Sequence, residues 1–141
     1  MLQPSPSPPP APVRPEAPLP CGNIYGTIMI EIREYLDSQD QSPFAAWFTG
    51  LNARAAAKIA VHLKRMELGN LSNVEPVGEG VLEKKIDWGP GYRIYFGRDG
   101  DALVVLLVGS DKSDQQRAIR HAQAYWQDYR KRRRSIEHGT H

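Results

Sequence analysis

The sequence has almost no cysteine and no long apolar run, and each absence removes a class of protein. Cys21 is the single cysteine among 141 residues, so no internal disulfide can form. No apolar run approaches the roughly 18–20 residues of a membrane-spanning helix. Cysteine and histidine clusters with zinc-ligand spacing are absent as well, so we expect no metal and no cofactor. These absences favour a cytoplasmic protein without a membrane partner.

The chain also lacks a large excess of one charge, since it has 18 basic and 16 acidic residues. The basic residues are unevenly placed, however. Residues 130–134 hold five positive charges, whereas residues 29–128 hold 12 basic and 14 acidic side chains. The body is therefore slightly acidic, which excludes a histone-like protein and restricts any polyanion binding to a local patch. The basic run is either a contact for ribosomal RNA or a solvated, solubilising helix end.

Proline is concentrated at one end of the chain. Residues 1–22 hold nine of the 12 prolines and almost nothing to bury, which predicts a disordered or polyproline-like leader over 1–27. The leader lacks the basic start and apolar centre of a secretory signal. Two interpretations stay open: Met29 is the real start, or the leader is a ligand for proline-binding modules.

The remaining chain predicts one domain over 28–130, followed by a basic disordered tail over 131–141. Ser42 before Pro43, and Ser113 with Gln116, are typical helix starts. The order of elements predicts a small α+β domain whose helices cover one face of an antiparallel sheet. The predicted elements are a strand at 28–35, helices at 43–51 and 53–67, a connection at 71–79, strands at 82–88, 92–96 and 102–108, and a helix from 113 to about 129.

The most informative stretch runs from Gly80 to Gly97, where two extended runs flank a turn at 89–91. Side chains of a strand alternate between its two faces. The apolar positions of both runs therefore share one face with Lys84, and the opposite face collects acids, bases and one aromatic. The members of that polar set are Glu83, Lys85, Asp87, Arg93 and Tyr95. We predict that this set is the working site.

Several motifs, in this order and spacing, resemble a known toxin family. Gly-Pro-Gly-Tyr-Arg-Ile-Tyr-Phe at 89–96 precedes an apolar strand, then Gly-Ser-Asp-Lys-Ser-Asp-Gln at 109–115, then Ala-x-x-Tyr-Trp at 122–126. The pattern over about residues 29–130 is similar to the RelE/ParE toxin superfamily, in its branch of addiction module killer proteins of HigB type. The resemblance implies a RelE-like fold with an N-terminal strand, a helical hairpin, a three-stranded antiparallel sheet and a C-terminal helix.

The resemblance also implies a function. The protein would be the toxin of a type II toxin–antitoxin system, a ribosome-dependent mRNA interferase that inhibits translation. Its partners would be mRNA on the ribosome and a helix-turn-helix antitoxin of HigA type. Two alternatives remain open: a ParE-like toxin that inhibits gyrase without nuclease activity, and a domesticated, non-toxic member that binds only its antitoxin.

Cleaving RNA without a metal requires a base for the 2′-hydroxyl, cations for the phosphate and an acid for the leaving oxygen. Arg93 and Lys85 suit the phosphate, and the resemblance places basic family positions there. Glu83 or Asp87 would be the base, and Tyr95 would stack on a nucleobase or donate a proton.

Further RNA contacts are expected from Lys112, Asp87 and Arg117. The sequence departs from RelE-like nucleases at Glu83, where they carry a lysine. It also has no tyrosine early in the last helix, where Ala118 lies. A simpler interpretation of the polar set is a cross-strand salt-bridge ladder.

Overall fold

The computed structural model describes residues 29–139, so the predicted leader lies outside the described residues. One strand, two helices, four strands and a last helix follow one another along the described residues in a mixed α+β arrangement. The strands are β1 (Glu31–Glu34), β2 (Val74–Pro76), β3 (Leu82–Ile86), β4 (Tyr92–Arg98) and β5 (Leu103–Asp111), and the helices are α1 (Pro43–Thr49), α2 (Ala53–Glu67) and α3 (Gln115–Gly139).

The helical hairpin begins where the sequence predicts. The Ser42 hydroxyl accepts a hydrogen bond from the Ala45 N–H at 3.0 Å, and Pro43 occupies the first turn of α1. The Asn52 side chain caps α2 in the same way, accepting from the Ala55 N–H at 2.9 Å. Both caps satisfy backbone donors that the first helical turn leaves free, so two helices follow each other with a short break.

The sheet has five strands in the order β1-β5-β4-β3-β2, which corrects the predicted three-stranded sheet. The expected antiparallel strands β3, β4 and β5 form its centre. β1 joins parallel to β5, with Glu31 opposite Leu103, and β2 adds a three-residue antiparallel edge to β3. The sequence predicted β1 as a strand but not its pairing, because parallel pairing joins distant segments, and it missed β2, which is too short to show alternation.

Helices cover both faces of the sheet, which corrects the prediction that one face stays open. α1 and α2 pack on one face, where Phe44, Ile59 and Met66 contact strand residues such as Ile94. α3 packs on the other face. The physical reason is that α3 carries an apolar stripe that must be buried. The core on its side of the sheet consists of Tyr35, Val81, Tyr95, Val105, Leu107, Ala118, Ala122 and Trp126.

Two glycines in the strands let a tryptophan lie flat on each face. A Cβ at Gly97 would come within 2.4 Å of the Trp126 ring on α3. A Cβ at Gly109 would come within 2.3 Å of the Trp47 ring on α1. Such distances lie far below van der Waals contact, so both positions require glycine for close approach of helix and sheet.

The last helix is longer than predicted at its C-terminal end. It runs to Gly139, so residues 131–139, predicted as part of a disordered tail, are helical. Arg132 donates through Nε to Asp128 at 2.9 Å and through Nη2 to the Leu36 carbonyl at 2.7 Å, and Arg133 pairs with Asp99. These contacts attach the C-terminal end of α3 to the rest of the domain, although its charge alone predicts a solvated tail.

The start of α3 also differs from the prediction. Asp111, rather than Ser113, provides the cap: its carboxylate accepts from the N–H groups of Ser113 and Asp114 in a short 3-10 turn before the helix. Within residues 29–139, none of the helices combines the length and apolarity that crossing a membrane requires.

Candidate functional site

The register of β3 and β4 brings the predicted polar set together on one face. Glu83 lies opposite Tyr95, and Lys85 lies opposite Arg93. Their side chains point toward α3, because the alternate positions Ile86, Ile94 and Phe96 pack against α1 and α2. The alternation of the sequence therefore predicted the shared face correctly.

Glu83 is the centre of this cluster and is only 1% exposed. One of its carboxylate oxygens, Oε2, accepts the Tyr95 hydroxyl at 2.8 Å and the Gln115 side-chain amide at 2.8 Å. The same oxygen lies 3.9 Å from Nε of Arg93. A buried carboxylate requires such compensation, since an unpaired buried charge is strongly unfavourable. Gln115 carries no signal in the sequence, because only the docking of α3 brings it to β3.

Arg93 is buried but incompletely bonded. Its side chain is 9% exposed, and its Nε has no hydrogen-bond partner among the described residues. Ser110, which lies opposite Arg93 on β5, buries a hydroxyl that interacts with the Tyr95 phenol and makes no hydrogen bond to Arg93. Groups left unsatisfied in this way cost free energy and call for a functional explanation. This part of the cluster thus has unused hydrogen-bonding capacity beside a positive charge.

Tyr95 is fully buried, so its ring offers no stacking surface to a nucleobase in this conformation. Burial raises the pKa of its phenol above 10.0, and the hydrogen bond to Glu83 acts in the same direction, while Ser110 and Arg93 oppose it. A phenol with a raised pKa is a weak proton donor. Tyr95 therefore orients Glu83 through its hydroxyl.

Lys85 and Asp87 lie at the open end of the cluster. The Lys85 side chain is 37% exposed and forms an ion pair of 3.3 Å with Glu75 on β2, and Asp87 is exposed directly after β3. The predicted salt-bridge ladder is thus only partly present, because Lys85 pairs outward with Glu75. Glu75 lies in the segment predicted as a connection, and only the pairing of β2 with β3 brings it beside Lys85.

Lys112 and Arg117 flank the same end of the sheet. Lys112 is exposed in the 3-10 turn and makes no ion pair within residues 29–139; its Cβ lies 3.7 Å from where a Cβ on Gly91 would be. It thus packs beside the turn between β3 and β4. Arg117 is exposed on the first turns of α3 and pairs with Asp114 at 3.3 Å. The cations that solvent reaches here are Lys85, Lys112 and Arg117.

The arrangement can bind an anion, and its polar groups do not form a metal centre. In the part of the chain that the structure describes, no three side chains among His, Cys, Asp and Glu come together as metal ligands. The chemistry that the site can provide is electrostatic: Lys85, Lys112 and Arg117 offer positive charge that solvent reaches, and Asp87 is an exposed carboxylate that follows β3.

The chain is similar in sequence to a bacterial protein. It is 41% identical over 86 residues to an uncharacterized protein of Haemophilus influenzae (strain ATCC 51907 / DSM 11121 / KW20 / Rd). The alignment covers 60% of this chain and 87% of that protein. The chain belongs to the family of this Haemophilus protein. No model of a known protein family matches the sequence.

Proposed function

We propose that the protein is the toxin of a type II toxin–antitoxin pair in the RelE/ParE superfamily, acting in the cytoplasm as a ribosome-dependent mRNA interferase. The observation that carries the proposal is Arg93: a buried guanidinium with an unpartnered Nε, next to the half-exposed Lys85 across the strand pair. Two adjacent cations, of which solvent reaches Lys85, create a positive potential suited to a phosphodiester. The central antiparallel strands, the helical hairpin and the C-terminal helix agree with the superfamily's element order.

The roles of the cluster divide by burial. Lys85 contacts the phosphate, and the charge of the buried Arg93 beside it adds to the positive potential that stabilises the phosphate as the 2′-hydroxyl attacks phosphorus and the 5′-oxygen leaves. Glu83 and Tyr95 position Arg93 from beneath, since neither is accessible to RNA. Asp87, an exposed carboxylate, is the general base that the arrangement favours. Lys112 and Arg117 hold the flanking phosphates.

A ParE-like mode of action is the second candidate, and one observation favours it. The two groups expected to move protons, Glu83 and Tyr95, are both buried under α3. A toxin that acts by binding gyrase needs no accessible acid–base pair. In either mode we propose a helix-turn-helix antitoxin as the partner that neutralises the protein.

The test is induction of the chain in a bacterium, with pulse-labelled protein and DNA synthesis and mapping of mRNA 5′ ends. We expect rapid loss of translation with new mRNA ends at codon-phased sites. Lys85→Gln should slow cleavage about 10²–10³-fold, as expected for loss of one stabilising group in a transition state. Because Lys85 is partly exposed, this substitution leaves the fold intact.

Arg54→Gln on α2 is the matched control, since it removes one exposed positive charge far from the cluster. It should remain as toxic as the native chain. Codon-phased cleavage that persists unchanged in both Lys85→Gln and Arg93→Gln would overturn the proposed site. Arrested DNA synthesis with intact mRNA would replace the interferase by the gyrase inhibitor.

A further inference from the structure

The opposite end of α3 forms a second basic surface that the Arg93 cluster does not use. A cleft of about 540 Å³ lies between the loop that precedes β3 and the C-terminal half of α3. A neighbouring cleft of about 380 Å³ lies along the next face of the helix. Arg130 and Arg134 line both clefts and so form the ridge between them. We call the two clefts together the basic cleft.

The residues that line the basic cleft are mostly positively charged. Its charged lining residues are Arg98, Arg130, Lys131, Arg133 and Arg134, with only Glu79 and Asp99 as acids. Asp99 is already engaged, since it accepts the Tyr129 hydroxyl at 2.7 Å and pairs with Arg133. The body of the protein is slightly acidic, so this is where the chain concentrates positive charge.

Several of these cations make no ion pair within the described part of the chain. Arg130, Lys131 and Arg134 are exposed and make no ion pair with any side chain that the structure describes. Arg98 donates to the Asp101 carbonyl, but its Nε is buried without an acceptor. Residues 130 and 134 are one helical turn apart and therefore lie on the same side of α3. Their guanidinium groups can contact consecutive phosphates of one strand.

The shape of the basic cleft is fixed by a close contact. Gly78, Glu79 and Gly80 all have positive φ angles, of 96°, 58° and 83°. A Cβ at Gly80 would come within 2.8 Å of Nε1 of Trp126, so glycine lets the loop approach the helix. Trp126 and Tyr129 stack with ring centroids 5.1 Å apart and form an aromatic wall of the cleft. The walls are thus rigid while the arginines on the rim are solvated.

We propose that the basic cleft binds the phosphate backbone of RNA, as a site separate from the Arg93 cluster. The inference rests on the proposed function for the choice of RNA as the polyanion. Arg98 is five residues from Arg93 along β4, about 17 Å at 3.4 Å per residue. One RNA molecule can therefore reach both sites, with the basic cleft supplying sequence-independent affinity.

The experiment measures binding to a fluorescent 12-nucleotide 2′-O-methyl RNA by anisotropy, at several salt concentrations, with the full chain. This probe keeps the phosphates but lacks the 2′-hydroxyl nucleophile, so it cannot be cleaved. The logarithm of affinity falls with the logarithm of salt by about 0.7 per phosphate contact on a single strand. Replacing both Arg130 and Arg134 by Gln should lower that slope by about 1.4.

The control is the double variant Arg54→Gln/Lys58→Gln on α2, which removes the same charge at the same four-residue spacing. Its salt slope should equal that of the native chain. Glutamine suits exposed helix positions, and circular dichroism of each variant verifies α3. A slope of the Arg130→Gln/Arg134→Gln variant equal to the control's would overturn the inference. Preferential, cleft-dependent binding of a 12-residue polyglutamate peptide over the RNA would overturn it too.

This test is independent of whether the chain cleaves mRNA. If mRNA stays intact after induction while the slope falls as stated, the interferase is refuted and the RNA site stands. If mRNA is cleaved but the slope is unchanged, the interferase stands and the basic cleft does not bind RNA.

Discussion

Replacing Glu83 by Gln tests whether a buried carboxylate organises the cluster beneath α3. Glutamine has nearly the same shape and can still accept a hydrogen bond from Tyr95. It loses the negative charge that lies 3.9 Å from Arg93, and both residues are buried. The substitution therefore leaves a buried guanidinium without its counter-charge.

The magnitude follows from that loss. Breaking a buried ion pair by removing one partner costs about 3–5 kcal/mol, and an orphaned neutral donor adds about 1–3 kcal/mol. Because the Glu83–Arg93 pair is at the long end of ion-pair distances and glutamine retains an acceptor, we expect the low end, about 3 kcal/mol. The assay is urea denaturation followed by circular dichroism, which gives the free energy of unfolding.

Glu75→Gln is the matched control. Glu75 lies on the neighbouring strand β2 and pairs with Lys85 at 3.3 Å, but its side chain is 63% exposed. An exposed pair contributes below about 1 kcal/mol, so this variant should unfold near the native midpoint. A Glu83→Gln protein within about 0.5 kcal/mol of the native free energy of unfolding would refute the central role of the carboxylate.

Two further predictions concern packing and pH. Gly97→Ala should lower the free energy of unfolding by about 1–3 kcal/mol, since its Cβ would collide with Trp126. Gly50→Ala at the end of α1 should be near neutral, because a Cβ there would come no closer than 3.5 Å to its neighbours; equal denaturation midpoints of the two variants would contradict this. Burial raises the pKa of Tyr35 from 10.0 to about 12, assisted by Asp128, so the folded state holds this proton more tightly than the unfolded state. The resulting stability is present below pH 10 and lost between pH 10 and 12. In urea denaturation, the free energy of unfolding of the native chain should therefore exceed that of Tyr35→Phe by less at pH 11 than at pH 8. An equal difference at the two pH values would contradict this prediction.

Local patterns determined much of the fold. The capping residues Ser42 and Asn52 fixed both helix starts, because capping depends on neighbours within one turn. Strand alternation put Glu83, Arg93 and Tyr95 on one face, because side chains alternate in any strand. These features follow from a few adjacent residues and are therefore readable from sequence.

Tertiary packing decided which side of each element is covered, and so what the cluster can do. The sequence predicted the helix from 113 to about 129, but which face of the sheet this helix covers depends on contacts between distant segments. That choice buries Glu83 and Tyr95, brings in Gln115, and leaves Lys85 and Asp87 at the open end.

The same distinction holds at the C-terminal end. The sequence by itself determined the charge of residues 130–134, since composition is independent of the fold. Only the tertiary structure decided that the run is helical, because Arg132 and Arg133 find their partners at Leu36 and Asp99, far away in the chain.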